Sequence, residues 1–139
     1  MDKTLGMLGL MRKAGAIEIG TDRAEEAIGK GRARLVLIPS DASERARRNA
    51  ELLLRGKSAV EIELPYMSAE MADAVGTGRF SMAVVTDLGF ADAFLKKLAE
   101  SDPGKYGSIS EEIARRTERA RRRKTEKPGR KTERQEGER

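Results

Sequence analysis

Hydrophobic and polar positions switch between two periods along the first hundred residues, and the switching predicts the elements. Leu5, Leu8 and Met11 fall on one row and Met7, Leu10 and Ala14 on another, so residues 2–14 predict a largely buried helix. Residues 16–19 shorten the period to two, with Ile17 and Ile19 inward, as in a short strand. Ala24, Ala27, Ile28 and Gly31 return to helical spacing. Residues 35–38 form a continuous apolar run, the mark of a strand covered on both faces. A third helix, with Ala46, Ala50, Leu53 and Leu54 facing the core, runs to Arg55 and stops at Gly56. Residues 60–64 alternate strictly, which predicts a strand near a sheet edge with one wet face, ended by Pro65. A short helix over 68–75 follows. The loop Gly76-Thr77-Gly78-Arg79 then leads into a buried strand over 80–86. Ala91, Phe94, Leu95 and Leu98 mark a last core helix.

The helix starts carry their own signals. Asp22-x-x-Glu25 and Asp41-x-x-Glu44 have the spacing of capping boxes, and Ser68 and Asp87 stand where caps belong. One helix followed by four strands alternating with four helices predicts an α/β/α sandwich around a four-stranded sheet.

After Asp102-Pro103-Gly104 the pattern weakens. Apolar residues thin to Tyr106, Ile109, Ile113 and Ala114, and residues 119–124 are almost wholly basic. This divides the chain into a domain over 1–103 and a basic tail over 104–139. The tail is expected to be helical over 110–124, at least when bound, and disordered over 125–139. Charge sharpens the division. The net +5 is uneven, with 15 Lys/Arg against 16 Asp/Glu up to residue 103 and 13 against 7 beyond it. The domain is nearly neutral, and the excess positive charge belongs to the tail, which is expected to attract phosphate regardless of sequence while the domain selects shape.

Composition removes several chemistries. The chain has no Cys and no His, which excludes disulfides, thiol nucleophiles, histidine bases and typical zinc sites. No apolar run approaches the roughly 20 residues that span a bilayer, and the first residues lack the layout of a signal peptide. A cytoplasmic monomer with no cofactor, no catalysis and no membrane contact is the expectation.

The stretch from Met11 to Ala24 concentrates the candidate chemistry. Arg12 and Lys13 end one helix, Gly15 stops it, and Gly20-Thr21-Asp22-Arg23 opens the next after a single short strand. Gly20 lets the backbone come close to a partner. The helix after it points its first amides and positive dipole end outward, beside cations. Such a corner suits a phosphate backbone. Lys30, Arg32 and Arg34, around the end of the same helix, join the candidate set. Arg45, Arg47 and Arg48 are expected to form a solvated face.

Leu8-Gly9-Leu10-Met11-Arg12-Lys13-Ala14-Gly15, the Gly20 turn, residues 30–38 and Ser40-Asp41-Ala42-Ser43 occur in an order that resembles one family. It is the ribosomal-protein superfamily of archaeal L-seven-Ae and eukaryotic L-thirty-e, and its bacterial YlxQ-type members are the most similar. Val85-Thr86-Asp87-x-Gly89-Phe90-Ala91 is similar to their last strand-to-helix turn. The resemblance covers roughly residues 4–100. It implies a mixed four-stranded sheet and a non-catalytic partner of structured RNA, typically a kink-turn, with ribosomal RNA among the candidates. It also implies that Arg79 belongs to a second RNA-facing loop. Where the family has Gly-x-Asn-Glu this chain has Gly20-Thr21-Asp22-Arg23, and a family lysine falls at about Glu26. Asp22 therefore offers only acceptors where an amide offers both donor and acceptor, and Arg23 reverses a charge. RNA binding with altered or relaxed specificity is the resulting expectation.

The same residues leave two rival functions open. Asp41 and Asp87 both follow apolar strands, and carboxylates so placed can hold Mg²⁺ for phosphoryl transfer or act as in a receiver domain. A protein–protein adaptor that has lost specific RNA binding would account for the altered signature and the neutral domain.

Overall fold

The computed structural model describes residues 2–126, with side chains up to Lys124. The disorder expected for the C-terminal end therefore lies outside the described residues, apart from Thr125 and Glu126, which close the last helix. In chain order the elements are α1 Lys3–Lys13, β1 Ile17–Ile19, α2 Thr21–Gly29, β2 Leu35–Ile38 and α3 Glu44–Leu54. They continue as β3 Val60–Glu63, α4 Ser68–Val75, β4 Ala83–Val85, α5 Leu88–Ser101 and α6 Pro103–Glu126.

The four strands form one mixed sheet in the order β1-β4-β2-β3. β4 runs antiparallel to both of its neighbours, and β2 and β3 are parallel. The apolar run of β2 is covered on both faces, as its composition demands. Leu35 and Leu37 join Ala83 and Val85 under α1, α4, α5 and α6. Val36 and Ile38 join Met82 and Val84 under α2 and α3. The result is the expected three-layer α/β/α sandwich. β3 lies at the sheet edge, with Ile62 buried and Glu61 and Glu63 half-exposed.

Three caps differ from those predicted. Asp22 sits inside the first turn of α2, whose N-cap is Gly20, and no side chain caps that helix. Asp41 does not open α3, because Ser43 does, accepting from the Ala46 amide at 3.1 Å. Asp41 instead reaches across 27 residues to the start of α4, where it accepts from the Ser68 amide at 2.8 Å and the Ser68 hydroxyl at 3.1 Å. Ser68 is thus the first residue of α4 rather than its cap, and Glu70 reaches back to the Met67 amide at 2.8 Å. Asp87 caps α5 as predicted, accepting from Phe90 at 2.8 Å.

The larger correction concerns residues 104–126, where the helix expected over 110–124 is present but begins at Pro103 and is packed against the domain. Asp102-Pro103-Gly104 is a helix start rather than a linker. Pro103 takes the first helical position, which needs no amide, and Asp102 accepts from the Lys105 amide at 3.2 Å. α6 then packs into the larger core cluster, with Tyr106 2% and Ile113 0% exposed. The Tyr106 hydroxyl donates to the Glu63 carbonyl at 2.6 Å, and burial pushes its pKa up to about 12, which keeps it a donor. The boundary at 103 therefore cuts through the core. Arg47 is likewise more than a wet face, because its guanidinium donates to the Ala42 and Ser40 carbonyls and to Glu63.

Two stability measurements check this packing. Ile113→Ala should cost about 2–5 kcal/mol in urea unfolding, since it empties a fully buried site; a change under about 0.5 kcal/mol would place α6 outside the core. Gly9→Ala puts a Cβ 2.7 Å from the Ala74 carbonyl oxygen, backbone that cannot yield cheaply. It should cost about 1–3 kcal/mol by forcing α1 and α4 apart.

Candidate nucleic-acid interface

The turn between β1 and α2 is built by Gly20. Its φ of +96° and ψ of 162° define an extended conformation open essentially to glycine alone. Its amide donates to the Met82 carbonyl at 2.9 Å, which fixes the turn to the start of β4. Its missing side chain leaves the N-terminal end of α2 without a side-chain cap. The amides of Thr21, Asp22 and Arg23 precede the first intrahelical bond, which Ala24 donates to Gly20. They are therefore available to an external acceptor.

Because β4 is antiparallel to β1, the loop that enters β4 stands beside the turn that leaves β1. Two adjoining clefts result. One, of about 410 Å³, is lined by Arg12, Glu18, Gly20, Arg23, Arg79 and Phe80 among others. The second, of about 460 Å³, takes in Gly20, Thr21, Asp41, Ser43, Ser68 and Arg79. Gly20, Arg79 and Phe80 are shared by both.

The arginines around these clefts differ in freedom. Arg12, in the last turn of α1, also reaches across to α4. It donates to the Val75 carbonyl at 2.6 Å and to the Gly76 carbonyl at 3.2 Å, closing the C-terminal end of α4 and anchoring the loop that carries Arg79. Arg23 approaches Glu18 at 3.5 Å, but its side chain is 73% exposed, so the pair is weak and easily exchanged. Arg79 is exposed and lies close enough to Asp41 to stabilise its charged form. The Asp41 carboxyl is held below the usual carboxylate range, chiefly by the Ser68 amide, with Arg79 a smaller influence.

The remaining candidates separate. Lys13 and Asp22 are exposed and line neither cleft. Lys30 is paired with Glu26 at 2.9 Å, and its hydrogen bond holds that carboxyl below its ordinary pKa. Arg32 meets Glu18 at 3.9 Å. Arg34 lies at the other end of the sheet, where its amide donates to the Val85 carbonyl at 2.9 Å. Sequence patterning missed Thr77, Gly78 and Phe80 as cleft residues. Their only signal was the glycine-rich loop before an apolar strand.

The topology also decides against a shared cation site for Asp41 and Asp87. β2 and β4 are antiparallel, with Leu35 opposite Val85 and Leu37 opposite Ala83. Asp41, beyond the end of β2, and Asp87, beyond the end of β4, consequently stand at opposite ends of the sheet, and each caps a helix.

No protein-family model matches the sequence, and no curated protein is similar to it. Among solved structures, a protein of unknown function from Bacillus halodurans C is similar in fold, with a TM-score of 0.61 and 21% identity. The match covers 68% of this chain and 94% of that one. At that identity the likeness establishes the shared fold and nothing more.

Proposed function

We propose that the protein is a non-catalytic binder of structured RNA, gripping it where the Gly20 turn meets the Arg79 loop. The observation that carries this reading is the convergence of an uncapped helix end, Arg23 and Arg79 on two adjoining open clefts. Helix amides and arginines are complementary to phosphate oxygens. The resemblance to the kink-turn-binding ribosomal superfamily supports the same face, since its Gly-x-Asn-Glu turn aligns with Gly20–Arg23.

Within this reading the residues divide the work. Arg23 and Arg79 meet phosphates on the two sides of the Gly20 turn, and Arg12 holds the Arg79 loop in position. Asp22 faces solvent without a capping bond, so its carboxylate can accept from exposed base amino groups, such as N4 of cytosine. A binder built this way selects bent or unpaired RNA, because a regular A-form duplex offers side chains little to read.

The test is a titration of a bulged duplex RNA and of the same duplex without its bulge, across a salt series. Arg23→Gln and Arg79→Gln should each weaken binding to the bulged RNA. Each should also reduce the magnitude of the log–log salt slope by about 0.7–0.9, the value for one lost phosphate contact. Unchanged slopes in both variants, with the fold intact by circular dichroism, would remove this face from the RNA site. Gly20→Ala serves as a separate check on the turn. A Cβ there meets open space, so the cost comes from its positive φ alone and should reach about 1–3 kcal/mol in urea unfolding.

A further inference from the structure

At the end of the sheet opposite the Gly20 turn lies a second cationic cleft, of about 390 Å³. Arg34, Ser58 and Leu88 form one side, and Arg116, Arg119 and Arg123 of α6 form the other. Its floor is tied to the sheet. The Arg34 amide donates to the Val85 carbonyl, and its own carbonyl accepts from Val60. Arg116 donates to the Ser58 carbonyl at 2.8 Å and to Glu112 at 2.9 Å, which pins α6 against the entry to β3. Arg116 and Arg115 together neutralise Glu112, the acidic group in the cleft, and hold its carboxyl below the ordinary range.

The side chains of the other three arginines, Arg34, Arg119 and Arg123, make no hydrogen bond or ion pair among the described residues. Arg119 and Arg123 stand four residues apart on a rigid helix, about 6 Å along its axis, so both project into the same groove. Arg34 faces them from the sheet. Unpaired cations brought together on two elements repel one another unless an anion lies between them.

We infer that this cleft is a second contact for the RNA phosphodiester backbone, so that the protein holds RNA at both ends of its sheet. The inference rests on the RNA-binding reading but uses no residue of the Gly20 face. The two contacts are separated by the length of β2, roughly 15 Å from Arg34 to Pro39. The first contact reads shape through the Gly20 turn and the second adds affinity without regard to sequence. Guanidinium forks pair with phosphate and carboxylate alike, so the choice of a nucleic-acid backbone over an acidic protein segment follows from the RNA-binding reading, and the poly-glutamate arm below tests it.

The experiment compares full-length Arg119→Gln/Arg123→Gln with Lys3→Gln/Lys97→Gln, which removes equal charge from exposed positions outside both clefts. Both are titrated with the bulged and straight duplexes over a salt series, and poly-glutamate is tested alongside. The α6 variant should bind both RNAs more weakly, with a slope smaller in magnitude by about 1.4–1.8, while the lysine variant keeps the slope of the unaltered protein. A slope equal to that of the lysine variant overturns the inference, and so does loss of poly-glutamate binding with RNA binding intact. If Arg23→Gln and Arg79→Gln leave binding unchanged while the α6 variant loses it, the Gly20 reading falls and this one stands. An unaltered protein that binds neither RNA contradicts both.

Discussion

The direction of β4 is the constraint on which the rest of the structure depends. Its apolar run must be buried on both faces, which places it inside the sheet, between β1 and β2. It is antiparallel to each, so its entry loop is delivered to the exit of β1 and its own exit to the entry of β2. The first consequence brings the Arg79 loop beside the Gly20 turn. The second sends Asp87 away from Asp41 and puts Arg34 beside the end that α6 overhangs. A parallel β4 would have gathered the two aspartates at one sheet end, the geometry on which an α/β phosphoryl-transfer site depends.

Around that strand the chain spends its side chains on holding backbone ends together. Arg12 closes α4 from 63 residues away, Asp41 starts it from 27 residues away, and Arg116 ties α6 to Ser58 across 58 residues. These long-range bonds to helix ends and loops fix the rims of the clefts. Arg23, Arg79, Arg119 and Arg123, by contrast, are left facing solvent. Charged groups without strong internal partners contribute little to folding.

Much of this was legible in the sequence, because periodicity reports burial directly. The continuous run at 35–38, the strict alternation at 60–64 and the helical spacing of Ala91, Phe94, Leu95 and Leu98 each predict the element found. Caps were harder. An Asp two residues after a glycine carries the same local pattern whether it caps or not, and at Gly20 the backbone takes the cap position without a side chain. Asp41 carries a capping-box spacing and yet serves a helix far along the chain, a choice made by tertiary contact. For α6 the helix over 110–124 is legible but its burial is not. Tyr106, Ile109, Ile113 and Thr117 keep helical spacing, and Asp102-Pro103 is a helix start, but the density of charge around them resembles a tail. A strongly charged helix can bury one narrow stripe, and average composition hides it.

The proposed RNA contact lies where the Gly20 turn meets the Arg79 loop. Backbone amide resonances of the full-length protein, followed by NMR as bulged duplex RNA is added, test it most directly. The amides of Thr21, Asp22 and Arg23 and those of residues 77–80 should shift at the lowest RNA concentrations, with the straight duplex moving them less. Shifts confined to other parts of the sheet and its helices, with both of these segments unmoved, would contradict it.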